Sequence, residues 1–405
     1  MKGYTGVLPS GEAIHYMDRK RWFWLLSVAY PLQAFIPIWL HAATGNELWF
    51  LLPFASNYII MPILDALIGE DENNPPEEVI MQLNGDRYYR YLTYITVPLH
   101  FIAIIGCAVY AGTQALSWWA FLLLAWHAGM VGGLAINTAH ELGHKNSQVE
   151  KWLAKLTLAV PAYGHYTGEH NRGHHMEVST PADSASARMG ESIYRFALRE
   201  IPGAFVRGWR VERERLKSRR LPLWHYSNPI LQSYLVSAVI TILLVFWIGW
   251  IAIVFLVVHH ASAYWQLTTA NYIEHYGLLR EKMDNGRYER CQPHHSWNSN
   301  HILSNLVLFH LERHSDHHAN PLRRYQSLRH FDDLPSLPNG YLGMFILAWI
   351  PPLWFKIMDP RLMALPHVGG DLDGVNIDPR SAPSLFLRWG RDPMTEPTFT
   401  DLPGI

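Results

Sequence analysis

Four stretches of this chain contain no Asp, Glu, Lys or Arg: residues 22–46, 48–64, 91–140 and 221–273. The last two run for 50 and 53 residues, and all 33 basic and 34 acidic residues lie elsewhere. A soluble core has no use for such runs. A bilayer does, because a helix needs about 20 consecutive apolar residues to cross it. The two long blocks each hold two spans and the two short ones hold one each, which predicts six transmembrane helices. They fall at about 22–41, 48–69, 91–112, 116–139, 229–249 and 251–275. No short apolar core with a small-residue cleavage site follows the basic run Asp18-Arg19-Lys20-Arg21, so the first span reads as a permanent helix. The near-balanced charge argues against nucleic acid as a partner.

Basic residues set the orientation. The links 42–47, 111–115 and 249–251 hold none, whereas 141–220 holds 14 of the 33. By the positive-inside rule, both termini and the large loop face the cytoplasm. The expected fold is an all-α membrane protein: six transmembrane helices with a cytoplasmic helical cap carrying a histidine-rich di-metal site. Four segments follow: a tail with spans one to four (1–140), a histidine-rich loop (141–228), spans five and six (229–275), and a C-terminal cap and tail (276–405). Residues 341–357 are apolar but broken by Pro351-Pro352, and read as an interfacial helix rather than a seventh span. The tail beyond 359 reads as irregular.

Cysteine and histidine are used in opposite ways. Two cysteines, Cys107 and Cys291, leave no disulfide framework or four-cysteine iron site within the chain. The 23 histidines are clustered, and four pieces stand out. These are His140-Glu141-Leu142-Gly143-His144, Glu169-His170-Asn171-Arg172-Gly173-His174-His175, Asn271-Tyr272-Ile273-Glu274-His275-Tyr276-Gly277 and His314-Ser315-Asp316-His317-His318. Residues four apart on a helix share a face about 5–6 Å apart, so His140 and His144 can grip one ion. Adjacent residues diverge by about 100°, so His174 and His175 suit two neighbouring ions. Nine histidines at one membrane face therefore suggest a two-metal site. Imidazole accepts zinc, copper, iron and nickel, so the metal stays open at this point. Glu141, Glu169, Glu274 and Asp316 are expected to accept from the outer N–H groups of the rings. His100, His127, His259 and His260 read as satisfied polar residues. His165, His294, His295, His301 and His310 read as neighbours of the site.

The first piece also fits H-E-x-x-H, with Glu141 as the general base of a zinc intramembrane protease. That reading leaves most of the other seven histidines idle. A metal transporter would place its charged relay in mid-span, where this chain carries no charge.

The three boxes His140-x3-His144, His170-x3-His174-His175 and His314-x2-His317-His318, with the fourth signature 271–277, match a known pattern. The chain resembles the integral-membrane non-haem di-iron alkane 1-monooxygenases, within the superfamily of membrane fatty acid desaturases and hydroxylases. The resemblance runs from about residue 20 to 360 and includes 69–78. It implies two non-haem iron ions held by His140, His144, His170, His174, His175, His275, His314, His317 and His318. It also implies O2-dependent oxidation of the terminal methyl of an n-alkane to a primary alcohol in a bacterial inner membrane. Electrons would come from a rubredoxin reduced by a flavoprotein, and this chain holds no rubredoxin site of its own. A membrane acyl-chain desaturase is the alternative reading.

An alkane enters lipid with about 0.8 kcal/mol per CH2, so lateral entry from the bilayer is expected. Terminal selectivity then demands a narrow apolar tube presenting one methyl. Span two is expected to line part of it, with Asn57 or Ile60 at the wall. The basic stretch 195–220 has two readings, lipid anchoring, which is favoured, and charge docking of an acidic donor.

Overall fold

The computed structural model describes residues 1–71 and 73–391. Among these, six helical segments are long and apolar enough to cross a membrane: Leu25–Thr44, Glu47–Ile68, Arg87–Thr113, Trp118–Gly143, Pro229–Ile248 and Ile251–His275. They fall where the charge-free blocks place them. Caps fix several starts: Asp86 accepts from the Tyr88 N–H, Ser117 from the Ala120 N–H and Asn228 from the Ile230 N–H.

Burial sorts the spans into layers. The fourth is 67% buried, whereas the first, second and fifth are each 22% buried. Trp39, Leu67, Phe246, Trp247 and Trp250 stand exposed on the outer spans, the expected lipid face. The fourth and sixth spans pack closely along their length because small residues face each other. A Cβ on Gly129 would lie 2.3 Å from the His259 carbonyl oxygen and 2.5 Å from Ser262 Cβ.

The first two spans are broken helices. Pro31 opens a 3-10 turn within the first, at Tyr30–Ala34. The second begins as 3-10, passes through a π turn at Ser56–Ile60 and resumes as α-helix at Met61–Ile68. Proline removes a backbone donor, and such breaks persist in a membrane where neighbours re-satisfy the backbone. Asn57 Nδ2 donates to the Pro53 carbonyl at 2.6 Å for this purpose.

Three regions depart from the sequence expectation. The polar N-terminus forms an antiparallel hairpin, β1 (Lys2–Val7) and β2 (Ala13–Asp18), with Tyr4 opposite Tyr16. Both tyrosines are buried, in a cluster with Trp24, Tyr89 and Tyr325. Residues 341–357 are not one continuous helix. Tyr341–Ala348 and Pro351–Met363 meet at a bend of 119°, and Tyr341, Met344, Phe345 and Ala348 of the first limb are buried. The tail is ordered well past 359. Val375 and Ile377 bridge to Leu278 and Met189, the Asp378 carboxylate accepts both Arg195 amino groups at 2.9 Å, and Ala382–Arg388 is helical. Residues 392–405 lie outside the described residues.

A buried ionic knot ties the cap together. Asp71 receives Lys20 Nζ from the N-terminal segment and Arg313 Nη2, at 2.7 Å, from the residue before His314. Arg313 also donates to Asn300 Oδ1.

Candidate metal centre

All nine histidines of the four pieces converge at the C-terminal ends of the fourth and sixth spans. They form two groups: His140, His144, His170, His175 and His317, and His174, His275, His314 and His318. Within each group the nearest ring nitrogens lie within 4.8 Å of one another.

Local backbone geometry makes the division. The fourth span carries His140 and His144 on one face through its i, i+4 repeat. In the second box, His170–His174 is a π turn. Its i→i+5 bonding brings His170 and His175, five apart, onto one side, with Nε2 atoms 3.1 Å apart. His174 is left facing the other group. In the third box, the short helix His314–Ala319 sets His314 and His318 together at 2.9 Å and turns His317 toward His140, also at 2.9 Å. His275 ends the sixth span with its Nε2 3.2 Å from that of His314. Gly277 lets the chain turn away there: its φ is +73°, and a Cβ would meet Leu362 Cδ2 at 2.1 Å.

The donor set fits metal ions. Burial pushes His144, His170, His175, His314, His317 and His318 well below the ordinary imidazole value, so these rings are neutral and offer lone pairs. Neighbouring ring nitrogens stand 2.9–3.3 Å apart, so one ring can donate to the next or a shared cation can take the place of those protons. A metal–nitrogen bond of about 2.1 Å with ligands about 90° apart gives an edge of about 3.0 Å, the spacing found. The Nε2 atoms of His144 and His174 are buried without a hydrogen-bond partner, as atoms reserved for a metal would be.

An apolar cavity reaches this centre from within the spans. Met130, Leu134, Leu267, Ala270, Leu342 and Phe345 line its walls, and His140, His170, His314 and Glu274 line it as well. Met130 lies ten residues before His140, so the cavity extends about 15 Å along the fourth span at 1.5 Å per residue. Tyr30, Gln33 and Asn57 contribute a hydrogen-bonded polar set.

The comparisons with known proteins agree with this architecture. A family model described as fatty acid desaturase matches residues 116–355. Alkane 1-monooxygenase of Pseudomonas putida is 52% identical over 378 residues, 93% of each chain. The protein of the same name from Ectopseudomonas oleovorans is 51% identical over 379 residues, 94% of each chain. Alkane 1-monooxygenase 1 of Alcanivorax borkumensis is 51% identical over 364 residues, 90% of each chain. The chain belongs to the alkane 1-monooxygenase family.

In this alkane 1-monooxygenase family member the carboxylates take different partners from those expected. Glu141 pairs with Lys145 at 3.2 Å, Glu169 with Arg207, and Asp316 with Arg323 at 3.0 Å. Each sits beside a histidine in sequence, but a cation claims it first. Glu274 approaches His314 Nε2, the inward nitrogen, at 3.4 Å, so it faces the metal position and the cavity. The ring N–H acceptors are Asp183, 2.9 Å from His174 Nδ1, and the backbone carbonyl of His295, 3.0 Å from His275 Nδ1. Burial opposes ionisation of Asp183, yet His174 and Arg207 hold its carboxyl below the usual carboxylate range. Arg207 links it at 2.7 Å to the Glu169 pair. Nothing in the spacing of 174 and 183 announces this contact.

The protease reading fails on geometry: Glu141 is bound to Lys145, and His140 and His144 share their group with three further rings. His165, His301 and His310 bond Tyr234, Ser299 and the Tyr325 carbonyl, outside both groups. His100 contacts Thr138, and His259 contacts His260. Asn57 lines the cavity, but Ile60 is 46% exposed and does not. Residues three apart share a face on an α-helix. The π turn at 56–60 advances less per residue and rotates Ile60 outward.

Proposed function

We propose that this protein hydroxylates the terminal methyl of n-alkanes to primary alcohols with O2, at two non-haem irons held by the five- and four-histidine groups. The observation that carries the reading is the apolar cavity, which shares His140, His170 and His314 with the centre. The five- and four-histidine groups would hold one ion each. Bound there, iron would supply the redox chemistry that activates O2 toward the presented methyl.

The protein's own part is positioning and exclusion. Leu134, Ala270 and Phe345 offer an alkane no polar partner, so only its shape orients it. The cavity walls hold one terminus toward the histidines and keep weaker inner C–H bonds at a distance. Glu274, inside the same cavity, is the nearest carboxylate to the ligand-side nitrogens and is placed to hold a proton for oxygen reduction. Asp183 and the His295 carbonyl orient His174 and His275.

Electrons are taken from a rubredoxin and its flavoprotein reductase, and the setting is a bacterial inner membrane with both termini cytoplasmic. The clustering of basic residues in 141–220 and the even number of spans support that placement. Octane, 18O2 and reduced rubredoxin supplied to the iron-loaded protein should yield 1-octanol carrying label from O2, with two irons per chain. An alkene with no label would move the assignment to desaturation, and a single zinc would defeat it.

A further inference from the structure

A second cluster of metal-ligating side chains lies outside the centre and has no part in the mechanism. After the sixth span the chain makes an exposed excursion, with Lys282 bridged to Tyr288, and returns through Glu289 to the 3-10 turn Pro293–His295. Candidate ligand atoms of Glu289, His294 and His295 lie within 4.8 Å of one another. A distant segment adds another ring: His367, after Pro351–Met363, has its ring centroid 4.5 Å from that of His294. Ligand rings within the nine-histidine centre stand at comparable separations, such as 4.3 Å for His140 and His317 and 5.1 Å for His275 and His314.

The hydrogen bonds of His295 assign the roles. Its Nδ1 accepts the Gln292 backbone N–H at 2.9 Å. A neutral ring then carries its proton on Nε2, which faces Glu289 Oε1 at 3.4 Å. With no lone pair left on Nε2, His295 is not a ligand, and its N–H stands beside the Glu289 carboxylate at ion-pair distance. His294 and His367 have no protein hydrogen bond among those described, and their lone pairs are free. The neutral imidazole, the form that ligates metal, predominates at pH 7 for an ordinary histidine. Two neutral imidazoles and one carboxylate form a set that zinc accepts, with room for water.

We propose that Glu289, His294 and His367 bind a third metal ion, a divalent cation of the zinc class, with His295 holding the Glu289 carboxylate in place. The ion clasps the excursion after the sixth span to the turn at 365–370. Through the carbonyl of His295, which accepts from His275 Nδ1, the clasp abuts the nine-histidine centre without supplying a ligand to it. The proposal stands whether or not the reaction is alkane hydroxylation.

The test is metal analysis of the full-length, iron-loaded protein after equilibration with Zn2+ and desalting. Wild type should retain one zinc per chain beyond an unchanged iron content. H294A and H367A should each weaken zinc retention at least about tenfold while iron content and product formation hold. Co2+ in place of zinc should give a visible absorption band that the same variants lose. Wild-type protein that takes up zinc only by displacing iron overturns the site, and so does a double H294A/H367A variant that retains zinc as wild type does.

Discussion

Asp183 carries more of the metal centre than its loop position suggests. It is fully buried, accepts from His174 Nδ1 and Ser186 Oγ, and pairs with Arg207. Removing an outer partner of a metal-bound histidine costs about 10–100-fold in metal affinity or activity. D183N should therefore lose metal from the group that contains His174 on gel filtration, and full retention would refute the role. Glu200 is a second buried carboxylate the sequence does not flag. It accepts from Thr268 Oγ1 at 2.7 Å and Asn271 Nδ2 at 3.1 Å, and burial raises it to about 7. The folded state thus holds a proton that the unfolded chain releases near 4.5. Its stabilising share is complete below that value and is lost as pH rises through about 7, at about 1.4 kcal/mol per unit. E200Q should flatten the decline of Tm between pH 5 and 7. An unchanged slope would place the effect elsewhere.

At the scale of elements, irregular turns do the sorting that regular helices cannot. The π turn at 170–174 sends adjacent histidines to different groups, and the one at 56–60 turns Ile60 to the lipid side while Asn57 lines the cavity. A photoreactive alkane should accordingly label Leu134 or Asn57 and spare Ile60, as peptide mapping would show. Gly277 is constrained twice, by its left-handed φ and by Leu362. G277A should cost about 1–3 kcal/mol, read as a lowered Tm, and shortening Leu362 in the same chain should recover only the part due to the clash. The spans were legible because a charge-free run has one cheap environment. The pairing of His174 with His318 and His275 was not, since helical periodicity at 170–175 assumes the α repeat that the π turn breaks. The hairpin 2–18 was hidden for another reason: its buried Tyr4 and Tyr16 sit among glycines and polar residues, with too little alternation to announce strands.

Taken whole, the molecule keeps its charge in the cap and spends much of it internally. Of the basic stretch 195–220, Arg195, Arg199, Arg207 and Arg215 are bound to Asp378, Glu191, Glu169 and Glu212. That leaves a reduced free charge for an acidic protein partner and for anionic lipid alike. The donor KM should be nearly flat with ionic strength, whereas a steep rise would indicate docking by charge. The histidine boxes made nine converging rings legible in the sequence. The cations that claimed Glu141, Glu169 and Asp316 were not, because only Lys145 lies within four residues of its carboxylate in sequence.

The two histidine groups draw on residues from 140 to 318, and each contains members of the third box. The first group cannot close until the ribosome has passed His317, nor the second until it has passed His318, when all six spans are already made. The knot of Lys20, Asp71 and Arg313 likewise waits for the last of its members. Maturation therefore has a fixed order, with insertion first and any metal afterwards, and a nascent chain stalled before residue 314 can build neither complete pocket.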